Sequence, residues 1–90
     1  MDTEADVLVT NLAFYAAFAE RDLEAMDELW ASEHEVACLH PGWTELDGRE
    51  AVLDSWRRIL SNPESPVVRC ADAKARVVGD VAWVTCREIL

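Results

Sequence analysis

VVRCADAKARVVGDVAWVTCREIL, residues 67–90, decides the fold. Val67 to Val78 and Val81 to Leu90 are rich in β-branched and small residues, and they flank Gly79-Asp80, a two-residue connection suited to a tight β-hairpin. With those two residues as the loop, Val78 faces Val81, and Val77, Arg76 and Ala75 face Ala82, Trp83 and Val84. One side is then Ala71, Ala73, Ala75, Val77, Ala82, Val84 and Cys86, all small or apolar. The other side sets Asp72 opposite Arg87, Lys74 opposite Thr85 and Arg76 opposite Trp83. An ion pair and a cation–π pair in register favour this pairing, each worth roughly 0.2–1 kcal/mol.

Upstream the periodicity changes from strand to helix. Thr3 to Glu20 has no Gly or Pro and places Leu8, Leu12, Tyr15 and Ala19 at helical spacing, with Val7, Phe14 and Phe18 beside them. Asp22 reads as the N-cap of a second, short helix ending near Ala31. Glu35 to His40 is a short strand stopped by Pro41-Gly42. Asp47 with Glu50 approximates a capping box for a third helix, whose face is Val52, Leu53, Trp56, Ile59 and Leu60. Leu12, Phe18, Leu29, Trp30, Val36, Val52, Trp56, Ile59 and Val84 are the expected core.

Ninety residues, 51% of them hydrophobic, suit one domain over 1–90 with one core. Eighteen acidic against eight basic side chains give a charge of −10, which phosphate backbones and anionic lipids repel, so neither nucleic acid nor membrane is an expected partner. The excess is local: residues 1–66 hold fifteen acidic and four basic residues, residues 67–90 three and four. Three cysteines without paired spacing argue against a disulfide framework. The N-terminus lacks the basic start of a signal peptide. A cytoplasmic location is the expectation.

The order helix, helix, strand, helix, long hairpin carries strings that resemble a known family. Phe14-Tyr15-Ala16-Ala17 and Arg21-Asp22-Leu23-Glu24-Ala25-Met26 look like its opening helix pair, with Trp30 as the aromatic closing the second helix. His40-Pro41-Gly42 is similar to the turn after its first strand. Gly48-Arg49-Glu50-Ala51-Val52 looks like the start of its third helix, and Gly79-Asp80-Val81-Ala82-Trp83-Val84 like its hairpin turn. On these motifs, over residues 8–90, the chain resembles the nuclear-transport-factor-2-like superfamily, in its SnoaL-like, ketosteroid-isomerase-like form. The resemblance implies an α+β, cone-shaped fold with three helices packed on a curved, mainly antiparallel sheet around a conical pocket. It also implies further strands beyond Leu90, so the domain is expected to be incomplete at its C-terminus.

The chemistry of such folds varies, so the site is argued residue by residue. His40 stands where the resemblance places the isomerases' aspartate base, and an imidazole there can move a proton near neutral pH. The alternative is a histidine packed at the strand end and bonded to a loop carbonyl. Phe14 occupies the isomerases' tyrosine position, with Tyr15 one residue on, so steroid isomerisation is not implied. Glu88 shares parity with Val84 and Cys86, which makes it a candidate acid–base partner of His40, against the alternative of a solvated carboxylate. Tyr15, Phe14, Trp43, Trp56, Cys38 and Cys86 are the candidate pocket wall, with Cys38 and Cys86 as small buried hydrophobes. His34, Cys38 and His40 share strand parity, but residues four apart on an extended strand are about 13 Å apart. No metal or cofactor is expected.

Two functions stay open. One is a pocket for a small apolar or carbonyl-bearing molecule, with or without isomerase or lyase chemistry. The other is a non-catalytic association module. A homodimer is the expectation, through Trp83, Thr85 and Ile89 on the outer hairpin face, because a terminal strand leaves backbone groups unpaired.

Overall fold

A computed structural model describes residues 3–90. Its elements are α1 (Glu4–Glu20), α2 (Leu23–Leu29), β1 (Ala37–Cys38), β2 (Leu46–Asp47), α3 (Arg49–Ser61), β3 (Arg69–Val78) and β4 (Val81–Ile89). The α+β class and the antiparallel pairing match the expectation, with the strands grouped as two hydrogen-bonded pairs, β1–β2 and β3–β4. Among the described residues no helix is long and apolar enough to cross a membrane.

Thr3 and Asp6 form a reciprocal capping box that starts α1. Arg21 ends it in the left-handed region at φ 55, a conformation that costs a side-chain-bearing residue energy. The rest of Arg21 offsets that cost. Its guanidinium donates to the carbonyls of Leu60, Asn62 and Ser65 at 3.3, 2.6 and 2.8 Å, tying the end of α3 to the α1–α2 corner. Asp22 caps α2 as expected, accepting from the Ala25 N–H.

Two expectations about the middle of the chain are corrected. The first strand is only Ala37–Cys38, and it pairs with Leu46–Asp47 across a loop containing Pro41 and Gly42. Asp47 is therefore a strand residue and caps nothing. Helix α3 begins after Gly48, at φ 92, without a side-chain cap bond, and the Gly48 N–H goes instead to the Val36 carbonyl.

The hairpin register holds from Val78↔Val81 through Lys74↔Thr85 and then slips. Asp72, at φ 56, sits in a bulge, so Arg87 faces Ala71 and Glu88 faces Cys70. Beyond the bulge the alternation inverts. Ala71 turns outward, contrary to expectation, and Cys70 turns toward α1, where it meets the Asn11 amide at 3.5 Å. The Asp72–Arg87 ion pair survives at 3.0 Å. The expected Arg76–Trp83 stack is not among the cation–π contacts, and the Arg76 guanidinium bonds the Ala75 carbonyl.

The core is Ala17, Met26, Val52, Trp56 and Leu60, with Phe14, Phe18, Leu29, Trp30, Val36 and Ile59 partly buried around it. Val52 and Trp56 are where the sequence placed them. Leu12 is not: it is 65% exposed, because α1 packs through Phe14, Ala17 and Phe18. Val84 is half-buried over the helix.

Candidate active site

His40 follows β1, and its carbonyl accepts from the Trp43 N–H at 3.0 Å, closing the Pro41-Gly42 turn. That turn places the imidazole between two indoles, with ring centroids 4.9 Å from both Trp43 and Trp56 in edge-to-face geometry. Only 7% of the residue is exposed. Burial lowers the His40 pKa below its ordinary value, so the ring is neutral at pH 7. The same cause pushes the nearby Cys38 thiol up.

Ser55 holds the ring in place. This residue is fully buried, and its hydroxyl donates to the Val52 carbonyl at 2.6 Å. Its oxygen is thereby left to accept the His40 Nε2–H at 2.9 Å. Nδ1 is then the nitrogen with a free lone pair, and the Cys38 sulfur lies 4.0 Å from it and 3.7 Å from Nε2. A neutral imidazole fixed in this way can accept a proton.

The ring forms part of the wall of an open cavity of about 870 Å³. Phe14, Phe18, Trp30, Trp43, Trp56 and Ile59 make most of its apolar lining, with Cys38 and Glu88 also on it. Ser65 and Pro66 lie on the segment that Arg21 clamps, so that arginine shapes one rim. The indole N–H groups of Trp30 and Trp56 are buried without a hydrogen-bond partner.

Six of the eight residues expected at the site line the cavity: Phe14, Cys38, His40, Trp43, Trp56 and Glu88. Tyr15 and Cys86 stand behind Glu88. The Tyr15 hydroxyl donates to Glu88 Oε2 at 2.6 Å and lies 3.4 Å from the Cys86 sulfur. Burial first, then Cys86 and Glu88, push the phenol pKa well above its ordinary value, so it remains a donor. The direct His40–Glu88 pair expected from strand parity is not formed, because each group has taken another partner. Among the described residues no three His, Cys, Asp or Glu side chains converge to hold a metal.

Ser55, Trp30 and Phe18 were not singled out for the site from sequence. Ser55 did carry a signal: it is the polar interruption in the α3 face Val52, Trp56, Ile59, Leu60, where a buried hydroxyl needs a partner.

The family comparison matches the SnoaL-like domain to residues 7–90. The chain belongs to the SnoaL-like family. This SnoaL-like domain is similar to the F-box protein SKIP8 of Arabidopsis thaliana, at 26% identity over 88 residues. The match covers 98% of the chain but spans only 38% of that relative's length. A solved structure from Streptomyces avermitilis, a candidate dehydratase of the NTF2-like family, superposes with a TM-score of 0.85 at 35% identity. That match covers 94% of the SnoaL-like domain and 68% of the Streptomyces chain. Folds of this kind typically bind small molecules or act as isomerases or dehydratases.

Proposed function

We propose that this SnoaL-like domain binds a small apolar, carbonyl-bearing molecule in the 870 Å³ cavity and that His40 moves one of its protons. The observation that carries the reading is a buried imidazole, hydrogen-bonded to Ser55, on the wall of an aromatic cavity. In an apolar site, an imidazole that burial favours in its neutral form is free to remove a proton from the carbon beside a carbonyl. The C–H electron pair passes to the carbonyl oxygen as an enolate. The enolate then expels a β-hydroxyl that takes the proton and leaves as water, a dehydration, or, in a β,γ-unsaturated ketone, the dienolate takes the proton back at its γ-carbon and the double bond moves into conjugation, an isomerisation. Glu88, hydrogen-bonded to the neutral Tyr15 phenol, is the second proton-carrying group on the wall.

The test needs no knowledge of the natural substrate. A panel of cyclic and polycyclic ketones is incubated in D₂O, and α-hydrogen exchange is followed by NMR with the wild type and with His40→Ala. Thermal melts are run in parallel, since a ligand at 100 times its Kd adds about 2.7 kcal/mol of stability. Exchange that is lost in His40→Ala while the melting shift persists supports the reading. Stabilisation without exchange reduces it to binding. Neither effect across the panel ends it.

A further inference from the structure

Eight basic side chains serve this acidic chain, and five are occupied internally. Arg21 clamps three carbonyls, Arg49 pairs with Asp27, Arg57 and Arg58 share Asp54, and Arg87 pairs with Asp72. Among the described residues, Arg69, Lys74 and Arg76 have no carboxylate partner. All three are exposed on β3, and the register puts all three on the outward face, since the bulge restores Arg69 to the side of Lys74 and Arg76.

The apolar residues of the same face are open as well. Trp83 is 47% exposed opposite Arg76, and Val78 and Val81 are 64% and 62% exposed at the turn. On the other side of the β4 edge, facing α1, a second concavity of about 450 Å³ is lined by Val7, Phe14, Leu29, Trp30, Ala82 and Val84, with Trp83 at its rim and Asp6 also on it. A cationic strip beside an exposed aromatic contrasts with the rest of an otherwise strongly anionic molecule.

We propose that this face docks an acidic segment of another protein that carries an apolar anchor. Carboxylates of the segment would pair with Arg69, Lys74 and Arg76, and the anchor would sit against Trp83. Complementary charge steers and orients such an encounter, while the apolar centre supplies most of the affinity. A two-fold homodimer through this face, the expectation from sequence, would gather six unpaired cations, three from each copy. That repulsion favours an acidic partner over a second copy.

The probe is a short peptide in which Glu alternates with Leu, titrated into the ¹⁵N-labelled protein, with the matching Lys–Leu peptide as control. Because the chain carries −10 overall, an anionic peptide is repelled everywhere except at a local cationic site, which makes any binding diagnostic. Saturable shifts are expected at Lys74, Arg76, Thr85 and the Trp83 indole, weakened by salt. Lys74→Glu/Arg76→Glu should bind about tenfold more weakly or worse with an unchanged circular dichroism melt, since both side chains are exposed. No saturable binding, or shifts confined to the helices or the His40 cavity, overturns the proposal. So does sedimentation showing a concentration-dependent dimer in which Trp83 becomes protected, because the second copy would then be the occupant.

Discussion

Ser55→Ala tests the core of the site by removing one atom. The lost Oγ lies 2.9 Å from His40 Nε2 in a position with no exposed surface. With no acceptor and little water, the orphaned Nε2–H costs about 1–3 kcal/mol. The Val52 carbonyl suffers less, because it keeps the ordinary helical bond from the Trp56 N–H. Alanine returns up to about 0.5 kcal/mol through its better helix propensity. The net expectation is a loss of about 1–2 kcal/mol, which in a domain this small lowers Tm by roughly 4–8 °C per kcal/mol. A packing defect alone would give a similar loss, so the assay is a double-mutant cycle with His40→Phe. Urea unfolding would be followed by the fluorescence of Trp43 and Trp56, which flank the ring. If the hydroxyl acts through His40, Ser55→Ala costs almost nothing in the His40→Phe background, and the coupling is about 1–2 kcal/mol. An identical cost in both backgrounds, within about 0.5 kcal/mol, would refute the assigned hydrogen bond and with it the choice of Nδ1 as the basic nitrogen.

Burial also gives His40 a pH signature. Its folded pKa lies below the unfolded one, so the unfolded chain binds more protons, and stability is fully present above about pH 6.5 and falls as pH drops toward the folded value, by at most about 1.4 kcal/mol per pH unit. Urea titrations at about pH 7.5 and about pH 5.5 should show that His40→Phe removes this part of the slope, and an unchanged slope in that variant would show that His40 is not its source. Trp56→Ala takes a 3% exposed ring from contact with Phe14, Phe18 and His40 and should cost about 3–5 kcal/mol; near-wild-type melting would mean that the α3 face is not the core. At Arg21 the order of stability should be wild type, then Arg21→Gly, then Arg21→Ala. Both variants lose the three-carbonyl clamp, but glycine relieves the left-handed backbone by about 0.5–1 kcal/mol, and equal melts for the two would show that φ 55 carries no strain.

What could be read from the sequence follows from where its signals are local. Near Gly79-Asp80 the turn dictates the pairing, so the register was legible as far as Lys74. Past it, Ala71, Asp72 and Ala73 look the same to a strand of either phase, and nothing in their identities marks the positive φ at Asp72. The α1 face was misread for the opposite reason. From Val7 to Ala19 the helix has no charge, so no polar side identifies its outside, and only tertiary packing chose Ala17 over Leu12. Asp47 looked like a cap, but pairing with Ala37 claimed it first. The cavity residues were legible because strand end, turn and α3 face are each marked by residue type. The partners of His40 and Glu88 were not, since they depend on side chains 15 and 73 residues distant in the chain.

The bulge at Asp72 leaves β3 with two grammars. From Ala73 to Val77 the odd-numbered side chains face α1; from Val68 to Cys70 the even-numbered ones do. A replacement at Asp72 leaves both halves as they are, and loss of its codon would remove the extra residue, so that Ala73, Ala71, Cys70 and Arg69 alternate in one phase with Arg69 still outward and Val68 and Cys70 still inward. The bulge is thus one residue more than the two faces of the hairpin require. Among related chains the apolar alternation should change phase at this point wherever the hairpin keeps its present bend.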